Sequence, residues 1–118
     1  MARILVVDDA KFMRMMVRDT VEKAGHIVVG EGGNGNEAVE LYKKERPDVV
    51  TLDITMPEKD GIEAVKEIIA FDPKANVVMV SAMGQQGMVM EAIKSGAKNF
   101  IVKPFQGQAI LDAIDKVL

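Results

Sequence analysis

The sequence predicts an α/β fold: a five-stranded parallel sheet covered on both faces by five helices, in one domain spanning residues 1–118. Three observations carry this. Short apolar runs alternate with stretches of helical periodicity five times over. The runs are continuously apolar, which suits strands buried on both faces. Glycine, proline and capping residues mark the boundaries between them.

The first strand is Ile4 to Val7, stopped by Asp8 and Asp9. Residues 10–24 then repeat Met13, Met16, Val17, Val21 and Ala24 at helical spacing, and Gly25 follows where a helix end favours glycine. Ile27-Val28-Val29 is the second strand, and the glycine-containing run Gly30 to Gly35 reads as a loop. Asn34 and Glu37 form a reciprocal capping pair for a helix that carries Ala38, Leu41 and Tyr42 and stops before Pro47. Val49 to Leu52 is the third strand, ending at Asp53, and a loop containing Met56-Pro57 follows. Asp60 and Glu63 cap the next helix, with Ile62, Val65, Ile68 and Ile69 on one stripe. Val77 to Val80 leads to Ser81, and residues 86–95 form a helix with Val89, Ala92 and Ile93 inward, closed by Gly96. Phe100-Ile101-Val102 is the fifth strand, and residues 107–118 make the last helix, with Ile110, Ala113, Ile114 and Val117 inward.

Composition narrows the function. A net charge of −3 argues against a nucleic-acid binder, and the absence of cysteine rules out disulfide or thiolate chemistry. No apolar run approaches a membrane span, and two acids interrupt the N-terminus before any signal-peptide core. A soluble, cytoplasmic protein, with no attached output domain and no membrane contact, is expected.

In an open parallel sheet, ligands bind beyond the carboxyl ends of the strands. Those ends carry Asp8 and Asp9, then Asp53, then Ser81, then Lys103-Pro104. Three acids, a hydroxyl and an ammonium should therefore converge on one rim. At about 5 Å and an effective dielectric near 20, each ionised carboxylate pair costs roughly 3 kcal/mol, so the cluster calls for a cation. Hard oxygen ligands without His or Cys favour Mg²⁺ over zinc, and Mg²⁺ sites commonly include a phosphate. Asp53 is the natural nucleophile for an aspartyl phosphate, Lys103 a counter-charge and Ser81 a hydrogen-bond donor. Taken singly each residue is unremarkable, and Asp9 could equally cap the first helix. Their placement at successive strand ends gives the reading its weight.

The stretches Val6-Val7-Asp8-Asp9, Asp53 through Pro57 with Asp60-Gly61, Val80-Ser81-Ala82, Gly96-Ala97-Lys98 and Lys103-Pro104-Phe105 together resemble the receiver domain of two-component response regulators, over the whole chain. The segments Ser81 to Gln86 and Phe12 to Met16 are similar to single-domain chemotaxis members of that family. The resemblance implies the doubly wound, flavodoxin-like strand order 2-1-3-4-5. It also implies phosphotransfer from a histidine kinase to Asp53, with Mg²⁺ held by Asp8, Asp9, Asp53 and the backbone carbonyl of Thr55. Lys103 would contact the phosphoryl group, its bond to Pro104 being often cis in the family. Ser81 and Phe100 stand at the switch positions, where Phe100 lacks the hydroxyl of the commoner tyrosine. Thr55 and Met83 stand where the family tunes phosphoryl lifetime, and apolar Met83 implies slow self-hydrolysis and a separate phosphatase. The implied partners of this monomer are a chemotaxis-type kinase, that phosphatase and the flagellar motor switch protein, the last meeting a face formed by the last two helices and last strand. Such a protein is a phosphoacceptor switch rather than a true enzyme.

A phosphorelay intermediate, or another stand-alone receiver outside motility, remains an alternative on the sequence. A dehalogenase-like phosphatase would need a second Asp where Thr55 stands. A flavin carrier would need a hydroxyl-rich loop where Asp8-Asp9 stand. His26, the only histidine, falls at the amino end of its strand, away from the rim. Met13, Met16 and Met79 fit core positions, whereas Met15, Met88 and Met90 fall off the apolar stripes and suit an adaptable surface.

Overall fold

A computed structural model describes all residues, 1–118. Five strands, β1 (Arg3–Val7), β2 (Ile27–Gly32), β3 (Val49–Asp53), β4 (Val77–Ser81) and β5 (Asn99–Val102), alternate with five helices, α1 (Lys11–Lys23), α2 (Gly35–Glu45), α3 (Gly61–Phe71), α4 (Gln86–Lys94) and α5 (Gly107–Val117). All pairings are parallel and the order is β2-β1-β3-β4-β5, as the resemblance implies.

Strand alternation sorts the apolar residues into two cores. Leu5, Val7, Val50, Leu52, Val77 and Met79 face one layer, packed by α2, α3 and α4. Ile4, Val6, Val49, Val78, Val80 and Ile101 face the other, packed by α1 and α5. β3 and β4 are buried along their whole length, whereas β2 and β5, at the edges, are partly exposed. Continuous apolar runs therefore mark central strands, and an edge strand relaxes the rule.

Several local expectations need correction. β2 does not stop at Val29 but runs on through Gly32, because β1 offers it partners: Leu5 pairs with Gly30 and Val7 with Gly32 after a bulge between Ile4 and Leu5. Glycine suits this edge, since a Cβ on Gly30 would press on Leu5 Cδ1 at 3.3 Å. The Asn34 side chain does accept from the Glu37 amide at 2.9 Å, but Glu37 turns back one residue further, to the Gly33 amide at 2.7 Å. Asp60 accepts from the Glu63 amide at 2.9 Å. Asp9 is not a cap: Ala10 holds that position, and its amide donates to Asp8 Oδ1 at 2.9 Å. Ala24 is exposed past the end of α1, and Ile93 is exposed where α4 leaves β5 partly uncovered. Met79 is core, Met13 and Met16 are only half-buried, and Met15, Met88 and Met90 are exposed. His26 stays at the amino end of β2, where Nδ1 accepts from the Ala2 amide at 2.9 Å. Tyr42 is buried and donates to Asp72 Oδ2 at 2.8 Å, tying α2 to the end of α3.

Gly61 connects the fold to the rim. Its amide donates to Ile54 O at 2.7 Å, and a Cβ there would overlap the carbonyl oxygen of Asp53. Gly61→Ala should lower stability by about 2–3 kcal/mol, as overpacking against backbone does. Gly87 in α4 meets open space, so Gly87→Ala should be neutral or stabilising by up to about 1 kcal/mol. Urea denaturation of the two variants checks the contrast, and equal effects would discount the close approach.

Candidate functional site: an acidic cluster at the carboxyl edge of the sheet

β1 and β3 lie side by side and end together, with Val7 opposite Leu52. The next residue on each strand is an aspartate, Asp8 and Asp53. Both are nearly enclosed, at 4 % and 6 % exposure, while Asp9 is exposed. One carboxylate oxygen from each of Asp8, Asp9 and Asp53 lies within 4.8 Å of the others. Lys103, one residue past β5, reaches back across the rim. Its Nζ stands 2.9 Å from Asp8 Oδ2 and 3.5 Å from Asp53 Oδ2. The Lys103 amide donates to Ser81 O at 2.7 Å, and the Lys103–Pro104 peptide is cis.

Burial is the main influence on Asp53, and the neighbouring Asp8 charge adds to it. Lys103 opposes both without overcoming them, so the carboxyl is pushed up to about 6. Burial alone would lower Lys103, but its hydrogen bond to Asp8 and the charges of Asp53 and Asp8 outweigh that, and its pKa is raised. The ammonium is therefore fixed in its charged form beside the cluster. One cation against three carboxylates leaves a site with more negative than positive charge, its carboxylate oxygens gathered within 4.8 Å. That donor set suits a hard divalent ion such as Mg²⁺.

Ser81 is buried, and its hydroxyl donates to Ile101 O at 3.4 Å on β5. Phe100, one residue before Ile101, is 44 % exposed. It lines an apolar recess of about 360 Å³ together with Met83, Val89, Met90, Ile93 and Val102. This recess, between α4 and β5, adjoins the acidic cluster through Ser81 without containing it. Thr55 lies two residues past Asp53, and its side chain faces the loop after β4.

Two residues of the rim lie in stretches that resemble chemotaxis receivers, but nothing in the sequence assigns either of them a role of its own. Arg14, on the first turns of α1, donates from Nη1 to Asp8 O at 2.7 Å and pairs through Nε with Glu31 at 3.3 Å. Gln85 bridges the loops after β3 and β4: its Oε1 accepts from the Ala82 amide at 2.6 Å, and its Nε2 donates to Thr55 Oγ1 at 2.8 Å. A polar residue outside the apolar stripe and a glutamine in a loop look like ordinary surface in sequence.

Comparison with known proteins converges on one family. The model of the response regulator receiver domain matches residues 4–115. The chemotaxis protein CheY of Thermotoga maritima is 61% identical over 115 residues, covering 98% of this chain and 96% of that protein. The CheY of Bacillus subtilis is 60% identical and covers 98% and 97% respectively. Among solved structures, the CheX–CheY–BeF₃–Mg²⁺ complex from Borrelia burgdorferi superposes with a TM-score of 0.93 at 38% identity, covering 98% of this chain and 87% of that one.

Proposed function

The chain belongs to the response regulator receiver family and is of its single-domain CheY type, and we propose that it passes a chemotaxis signal by carrying a phosphoryl group on Asp53. CheY-type receivers are signalling switches, and the chain stands among chemotaxis response regulators. The finer reading rests on one observation: Asp8, Asp9 and Asp53 gather within 4.8 Å beside the Lys103 ammonium.

In this reading the Asp53 carboxylate attacks the phosphorus of a kinase phosphohistidine. A P–O bond forms as the P–N bond breaks, and the imidazole leaves, taking up a proton. Asp53 sits at the end of a strand paired on both sides, so its position is set before the donor arrives. Asp8, Asp9, Asp53 and the Thr55 carbonyl would hold Mg²⁺, which would supply positive charge against the carboxylates and the phosphoryl oxygens. Lys103, already drawn toward Asp53, ion-pairs with the phosphoryl oxygens. Ser81 leaves Ile101 O to donate to the phosphoryl group, and the Phe100 ring follows into the adjoining recess. The face formed by α4, β5 and α5 then presents a changed surface to a flagellar motor switch protein. A separate phosphatase resets the protein. In this reading the domain works in the cytoplasm as a monomer.

Lys103→Ala tests the coupling. The variant should still accept ³²P from acetyl phosphate with Mg²⁺, because Asp53 and the cluster remain. Amide resonances of Phe100 and Val102 should move on adding beryllofluoride and Mg²⁺ to the wild type, and by less than about a third as much in the variant, since a buried charge-assisted contact is lost. Equal movement in both proteins would overturn this role for Lys103.

A further inference from the structure

The hydrogen-bond donors nearest Asp53 on the β4 side are already occupied. Val80 is the register partner of Asp53, and the Ile54 amide donates to Val80 O at 3.2 Å. Ser81 and Ala82 therefore continue the chain directly past the level of Asp53. The Ser81 hydroxyl is turned to Ile101 O, and the Ala82 amide is held by Gln85 Oε1 at 2.6 Å. The same carboxamide donates to Thr55 Oγ1 at 2.8 Å, in the loop that follows Asp53. Gln85 is half-buried among exposed neighbours and spans the gap between the two loops that border the nucleophile.

We propose that the Gln85 carboxamide is a latch on the phosphorylation site: bonded to Ala82 N and Thr55 Oγ1, it holds the loop after β4 in the unphosphorylated arrangement, and an anionic group on Asp53 opens it by taking the Ala82 amide. The inference rests on Asp53 being the phosphoacceptor. A phosphoryl group brings about two negative charges and three strong acceptor oxygens. A backbone N–H bonds such an anion more strongly than it bonds a neutral amide oxygen, so the exchange runs toward opening once Asp53 is modified. Before modification the latch opposes the active arrangement, which makes it a brake on activation. Gln85 immediately precedes α4, so its release also frees the helix that borders the apolar recess. Gln85 is a positioning residue in this scheme and takes no part in the transfer itself.

Beryllofluoride with saturating Mg²⁺ is the probe, its affinity measured by calorimetry on the full chain. Gln85→Ala should bind it about three- to tenfold more tightly than the wild type, the range set by the net value of one hydrogen bond. Gln85→Met keeps the side-chain volume and removes both bonds, and should tighten binding equally. Thr55→Val should tighten it in part, and combining it with Gln85→Ala should add nothing further. Gln86→Ala, on the exposed neighbour, should leave affinity unchanged. Unaltered or weaker binding in Gln85→Ala would overturn the latch, as would tightening by Ala and not by Met, which would assign the effect to volume. A wild type that fails to bind beryllofluoride would remove the phosphoacceptor reading itself, a different result from a wild type that binds and variants that match it.

Discussion

Asp53→Ala will take essentially no phosphoryl label from acetyl phosphate, a loss of at least ~100-fold, since a nucleophile fixed in position has no replacement at the same point in space. The neighbouring acids do not substitute. Asp8 Oδ2 is engaged by Lys103 at 2.9 Å and Asp8 Oδ1 by the Ala10 amide at 2.9 Å, while Asp9, though in the same cluster, is exposed to solvent. Intact-mass measurement after incubation with acetyl phosphate and Mg²⁺ reads the outcome directly. A full complement of label on Asp8 or Asp9 in the variant would transfer the role elsewhere and remove the central claim about this site.

The second large effect is on stability, and its sign is opposite to what a lost native contact would give. In metal-free buffer at pH 7, Asp53→Asn will melt higher than the wild type. The Asp53 carboxyl titrates near 6 in the folded protein against an ordinary value of 3.8. Between those values the folded state holds more protons than the unfolded chain, so stability falls as pH rises through the window and stays reduced above it. A shift of this size corresponds to about 2–3 kcal/mol, or near 10 °C in Tm for a domain of this length. Mg²⁺ will reverse the ranking. At a hundredfold excess over its Kd an ion bound only by the folded state adds about 2.7 kcal/mol to the wild type, and the variant, lacking one ligand charge, will gain much less. Scanning calorimetry with and without Mg²⁺ checks both halves. A variant that melts below the wild type in EDTA, or a wild type indifferent to Mg²⁺, would discount the repulsion among these carboxylates.

The parts of the site legible in the sequence are those fixed by periodicity. Asp8, Asp53, Ser81 and Lys103 each end a recognisable apolar run, and a parallel sheet brings such ends together whatever the loops do. The central strands read clearly for the same reason, because burial on both faces leaves an unbroken apolar stretch. What escaped depends on a partner distant in sequence. β2 continues through Gly32 because β1 lies beside it, and no local propensity of Gly30 or Gly32 announces that. Ile93 sits on the expected stripe of α4 and is exposed, because the sheet ends at β5 and the recess there is left uncovered. Arg14 contacts Asp8 O and Glu31, and Gln85 contacts the Ala82 amide and Thr55 Oγ1, polar links across the rim that no pattern of hydrophobicity encodes.

The sheet also acts as a bulkhead. Side chains beneath α2, α3 and α4 belong to one compartment and those beneath α1 and α5 to another, with only the strands' own backbone between them. A change of volume in either hold is absorbed by neighbours in that hold. Drift or deliberate repacking can thus remodel half of the interior while the opposite half keeps its jigsaw intact. The acids at the brink of β1 and β3 stand on the partition itself, met from one side by Arg14 of α1 and from the other by Gly61 of α3.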